Sequence, residues 1–136
     1  MMAYDKPLPD LENEVEAPHW QAAKQGRLSI QRCSQCGYLR WPPETTCPEC
    51  LTRGGDWVDL KGEGEIWSFA VYHRAMNPAF SDEVPYAVAM VRLSEGIEMI
   101  GRIVGPPDQV RIGQKVRAVF VSVTDEVTLV QWEPTA

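Results

Sequence analysis

The stretch Cys33-Ser-Gln-Cys36-Gly-Tyr-Leu-Arg-Trp-Pro-Pro-Glu-Thr-Thr-Cys47-Pro-Glu-Cys50 contains every cysteine of this 136-residue chain. They form two identical Cys-x-x-Cys pairs with ten residues between them. Cys-x-x-Cys lets two sulfurs turn toward one ion, and a second pair brought opposite by a hairpin completes a tetrahedron. Gly37, just past the first pair, and Pro48, within the second, suit the tight turns of such knuckles. Two redox dithiols or four core thiols are the blander readings, and iron accepts the same ligands as zinc. Two matched pairs at this separation favour zinc held by Cys33, Cys36, Cys47 and Cys50. Four thiolates close the coordination shell, so the ion is expected to be structural and not catalytic.

Outward from the cysteines, "LSIQR" reads as a strand entering the first knuckle and "YLRWPP" as the return. Upstream, Pro18 near a helix start and Gly26 at its end predict a two-turn helix over about residues 18–25, with Trp20 as its anchor. Residues 1–16 are acidic and proline-bearing and are expected to form an extended arm. Downstream, "DWVDLKGEGE" reads as a connector. Beyond it the period becomes two: "EIWSFAVYH", "PYAVAMVRL", "IEMIGRIV", "KVRAVFVSV" and "VTLVQW" predict five strands, with "SEG" as a hairpin turn. Five short strands opened by the glycines of "GEGE" fit a small barrel of the oligonucleotide/oligosaccharide-binding (OB) type better than a sandwich of about seven. The fold class is therefore mainly β: a helix, a zinc ribbon and a five-stranded OB-fold barrel. The expected divisions are 1–27, arm and helix; 28–58, ribbon; and 59–136, barrel.

Composition limits the function. Hydrophobic residues make up 44% and charged residues 24%, as in soluble globular proteins. No apolar run approaches a membrane span and no secretory leader is read at the N-terminus, so the expected location is the cytoplasm, where thiols stay reduced. The net charge is −6. Residues 20–55 are the basic part, with five bases against Glu44 and Glu49, but four thiolates on a dication nearly cancel this. That balance opposes nucleic-acid binding, which needs clustered Lys and Arg. Trp41, Trp57, Trp67, Tyr72, Phe80 and Tyr86 are read as core or inter-lobe packing in preference to base stacking. His73, beside Arg74, is a candidate acid or base, yet no nucleophile stands near it, and no catalytic residue is assigned. The loop "NPAFSDEVPY", with Phe80, is a place for partner contacts.

These pieces in order ("HWQAAKQGRLSIQRC", "CGYLRWPPETTCPEC", "GEGEIWSFAVYHR", "PYAVAMVRLSEG" and "RIGQKVRAVF") resemble a bacterial and archaeal family of zinc-ribbon/OB-fold proteins, long described as a domain of unknown function. The resemblance runs from about Trp20 to Trp132. It implies a rubredoxin-like ribbon and a non-catalytic subunit that accompanies thiolase-superfamily acyltransferases or retro-aldol lyases acting on CoA thioesters, including those of steroid side-chain breakdown. It also implies, for some members, help in seating acyl-CoA. Separately, the ribbon's basic residues, Arg32 and Arg40 among them, are candidates for direct CoA binding. A single-stranded nucleic-acid-binding module is the competing expectation.

Overall fold

The structure is a computed structural model in which residues 4–135 are described. Helix α1 (Ala17–Lys24) is followed by strands β1 (Leu28–Arg32), β2 (Leu39–Arg40) and β3 (Asp56–Leu60), which form an antiparallel sheet in the order β2-β1-β3. Strands β4 (Glu63–Tyr72), β5 (Tyr86–Leu93), β6 (Glu98–Ile103), β7 (Lys115–Ser122) and β8 (Thr128–Pro134) close into a barrel in the order β4-β5-β6-β8-β7. All barrel pairings are antiparallel except β6 with β8. The closed five-strand, OB-like barrel is present as the period-two segments predict.

The segment read as a connector forms β3 in its first half. Asp56–Leu60 pairs in register with the whole of β1, from Leu28 opposite Leu60 to Arg32 opposite Asp56. Asp56 and Asp59 are exposed while Val58 and Leu60 pack on the core, a burial that its acidic composition conceals.

Gly26 closes α1 in a left-handed conformation, with φ at 77°. The N–H of Arg27 reaches back to the Ala22 carbonyl at 2.9 Å, which caps the helix end. The anchor is not Trp20. His19, Ala22 and Ala23 are the buried residues of α1, spaced to fall on one face. Trp20 is half-buried and meets the His19 ring edge-on at 4.8 Å.

Ribbon and barrel share one core. Leu28 and Ile30 of β1 belong to the same buried cluster as Ile66, Val91, Leu93, Met99, Val116 and Trp132. Trp41 packs against that cluster and lies 4.3 Å from the His19 ring, forming the seam between the lobes. Trp132 is the largest side chain in the core, at 1% exposed. Gly101 makes room for it: a Cβ there would stand 2.6 Å from two atoms of the indole. The expectation that the named aromatics are packed holds for Trp41 and fails for Trp67 and Tyr72, which are 49% and 38% exposed.

A four-thiolate centre and its supports

Local hydrogen bonding shapes each knuckle. The Cys33 amide bonds the Tyr38 carbonyl and the Gly37 amide bonds the Cys33 carbonyl, which curls residues 33–38 into a turn. The second pair repeats this, with Cys47 N–H to Thr52 O and Leu51 N–H to Cys47 O, each at 2.9 Å. Gly37 and Leu51 occupy matching left-handed positions, with φ of 76° and 66°. Leu51 is the costlier occupant, because an L side chain is strained there.

The four ligand-capable sulfurs lie within 4.8 Å of one another. Cys33 and Cys50 are 3.5 Å apart across the pairs, and Cys36 and Cys47 are 3.6 Å apart. A tetrahedron with metal–sulfur bonds of about 2.3 Å has edges of about 3.8 Å, so the arrangement fits a tetrathiolate zinc site after small shifts of the sulfurs. Its chemistry also fits. Amide hydrogens of Cys36 and Gln35 point at Cys33 Sγ and pull that thiol down to about 6. Around Cys36 the Tyr38 backbone favours the thiolate, but burial and the neighbouring sulfurs outweigh it and push the thiol up to about 12. The Cys33 thiolate forms readily while Cys36 resists ionising beside it, an electrostatic conflict that a dication resolves. Neither histidine approaches the cluster: His19 lies in the seam, and exposed His73 follows β4.

Arg40 has a different place from the one its charge suggests. It is 3% exposed and serves as a strut inside the ribbon. Its Nε donates to Gln31 Oε1 at 2.9 Å, and Nη2 donates to the carbonyls of Glu44 and Gly54 at 3.1 and 2.7 Å. Those carbonyls bracket the loop that carries Cys47 and Cys50, so the guanidinium ties the second knuckle to β1. It is not available to a solvent-borne phosphate, which overturns its reading as a CoA contact. Arg32 remains exposed.

A cleft of about 840 Å³ opens between the N-terminal arm, the seam and the barrel, with Trp20, Trp41, Tyr86, Val88, Ile100 and Trp132 among its walls. The arm is fastened across it by Lys6, which bonds Glu83 at 2.8 Å, while Glu83 also bonds Arg102. Lys6 lies 5.5 Å over the Phe80 ring and Arg102 lies 4.5 Å over Tyr86, so Phe80 contacts this chain's own arm. Sequence reasoning missed this cluster because its members are remote in the chain.

The barrel's cations are largely committed. Arg92 pairs with Glu98, Arg102 with Glu83, Lys115 with Glu65 and Arg117 with Glu133. An electropositive track for a phosphate backbone does not form on such a surface. No helix among the described residues is long and apolar enough to cross a membrane.

Comparison with known proteins agrees with this geometry. Residues 20–55 match the family model described as the ChsH2 rubredoxin-like zinc ribbon domain, and residues 57–121 match the ChsH2 C-terminal OB-fold domain. The chain is 40% identical over 130 residues to a probable enoyl-CoA hydratase alpha subunit of Thermomonospora curvata. The alignment covers 95% of this chain and 40% of that one, so the chain spans well under half of that longer relative. A DUF35 domain-containing scaffold protein of Methanothermobacter thermautotrophicus is 37% identical, over 73% of this chain and 75% of its own. A solved structure described as an Ltp2-ChsH2(DUF35) aldolase contains a chain that superposes with a TM-score of 0.82 at 39% identity, covering 93% of this chain and 98% of that one. A DUF35 protein of Sulfolobus solfataricus, at 16% identity and a TM-score of 0.63, shares the fold. With both lobes matched in order, the chain belongs to the DUF35 family of zinc-ribbon/OB-fold proteins.

Proposed function

We propose that this chain is an accessory subunit that docks on a thiolase-superfamily enzyme acting on acyl-CoA thioesters, and that Cys33, Cys36, Cys47 and Cys50 hold a structural zinc ion for it. The observation that carries this reading is the near end-to-end likeness to the ChsH2(DUF35) chain of an aldolase complex. The name of a further relative, the benzoylsuccinyl-CoA thiolase subunit BbsA of Thauera aromatica, 26% identical over 98 residues, points to the same enzyme superfamily. The site chemistry supports it: a closed tetrathiolate leaves no position for water or substrate, and Arg92, Arg102, Lys115 and Arg117 of the barrel are engaged by carboxylates. Bond-making is then the partner's task, with this chain completing or bracing the partner's fold and assisting acyl-CoA binding. The nucleic-acid alternative finds no cationic track on the barrel.

The test is co-expression with the thiolase-superfamily protein encoded nearest to it. A stable heteromer whose turnover of acyl-CoA disappears when this chain is withdrawn is the expected result. Full activity of the enzyme alone would refute the proposal.

A further inference from the structure

Beyond Ile66, one edge of strand β4 is paired with nothing among the described residues. On one side it pairs with β5 from Gly64 to Tyr72. On the other, β7 accompanies only Glu63–Glu65, and the last contacts are Ile66 N–H to Gln114 O at 2.9 Å and Gly113 N–H to Ile66 O at 2.7 Å. A bulge between Ile66 and Ser68 then turns the strand away. Past it, Trp67–Tyr72 presents alternate backbone N–H and C=O groups outward over about 20 Å, with no partner among the described residues.

The side chains along this edge are those of an interface. Trp67 and Tyr72 are exposed, and so are Ser68 and Ala70. Phe69 is the most telling. Its register opposite buried Ala89 places it on the inward face, yet it is 36% exposed, in the part of β4 that β7 does not accompany. Natural sheet edges are normally blunted by lysine, proline or inward charge, and "WSFAVY" has none of these. Large aromatics at a desolvated centre are the usual anchors of protein–protein contacts.

Charge indicates what covers it. In a barrel whose other arginines are paired, Arg74 and Arg111 are exposed and in no ion pair among the described residues. Arg74 lies two residues past Tyr72. Arg111 lies two residues before Gly113, at the Ile66 end. The free edge is bracketed by cations. A second copy of this chain is the poorer occupant, since antiparallel self-pairing sets Arg74 of one against Arg111 of the other. The geometry points to an extended segment of the partner enzyme, apolar along its middle and acidic at both ends, added as a strand to the free edge of β4.

This inference rests on the accessory-subunit reading, and the experiment separates the two. Amide hydrogen exchange is followed in the isolated chain and in the purified heteromer. Exchange at Trp67–Tyr72 is expected to slow at least tenfold on complex formation, with β5 unchanged. A heteromer that forms without slowing at these amides overturns the inference and leaves the accessory role intact. Absence of any heteromer refutes both. Slowing that grows with the concentration of the isolated chain would make a second copy the occupant and overturn it. The double variant Arg74→Glu, Arg111→Glu should weaken the heteromer at least tenfold with its own melting unchanged. Equal affinity would remove the acidic ends from the proposal.

Discussion

Replacing Arg40 by methionine tests whether the metal loop is held by that one side chain. Methionine keeps the length and the apolar stem but donates nothing. Three hydrogen bonds disappear: those to Gln31 Oε1, Glu44 O and Gly54 O. Gln31 Oε1 keeps a donor, because the Glu44 amide also reaches it, at 2.7 Å. The two carbonyls lose theirs. Each bond to a charged donor is worth about 1.5–3 kcal/mol, and an orphaned acceptor costs about 1–3 kcal/mol. Against this stands a gain, since a buried guanidinium with one nitrogen unpartnered and no carboxylate beside it is no longer desolvated. The net loss is about 2–4 kcal/mol, confined to the loop between residues 44 and 54. If zinc leaves by opening of that loop, its transfer to a chromogenic chelator should accelerate roughly 30- to 700-fold. Arg40→Lys, retaining one point donor, should fall between. Transfer kinetics identical to those of the unaltered protein would refute the strut, and with it the claim that Arg40 is structural.

Two further substitutions probe the core and the seam. Gly101→Ala drives a methyl into the Trp132 indole at the place where β6 and β8 close the barrel, so a loss of about 1–3 kcal/mol and a melting point lower by roughly 4–12 °C are expected by calorimetry. An unchanged melt would mean that the indole can step aside. His19 predicts a pH effect of definite sign: burial holds its imidazole below the ordinary 6.5, against the Ser29 carbonyl and Glu16, which favour the charged form. The unfolded chain therefore takes the proton first, and this contribution to stability is whole above about pH 6.5 and erodes as pH falls below it. Proton competition for the thiolates acts in the same direction, so the decisive measurement is the difference in denaturant midpoint between His19→Phe and the unaltered chain from pH 7.5 to 5.5; parallel curves would contradict the assignment.

What could be read from the chain alone was whatever depends on local spacing. Paired cysteines, the Gly26 cap and the period-two runs are each decided within a few residues, and each has its counterpart in the structure. What escaped depends on partners distant in sequence. "DWVDL" reads as acidic filler until β1 supplies the strand opposite it. Arg40 reads as exposed because isolated charge belongs in water; only the convergence of Gln31, Glu44 and Gly54 makes a dry place for it. In α1 the face of His19, Ala22 and Ala23 has helical spacing, but a histidine counts as polar until the Ser29 carbonyl accepts its Nδ1–H. Trp67 and Tyr72 reverse the error. Aromatic side chains in a period-two run read as core, and these are exposed where β7, paired with β4 only at Glu63–Glu65, no longer flanks the strand, a fact no window of sequence contains.

The same strand order explains how a metal remote from any chemistry can matter to a partner. Docking costs conformational entropy for every element that must be ordered on contact, so a scaffold is effective when it is rigid beforehand. Here the ribbon is too small to be rigid alone: β2 has two residues, and β3 keeps an exposed outer face. Clamping both knuckles on one ion fixes β1, and β1 delivers Leu28 and Ile30 into the buried cluster that also holds Ile66. Ile66 is the residue at which β4 leaves β7 and its open edge begins. Under the proposed docking, stiffness imposed at the sulfurs is carried through that shared cluster to the residue where the unpaired run of β4 begins, which joins the thiolate centre and the proposed docking edge in one mechanical unit.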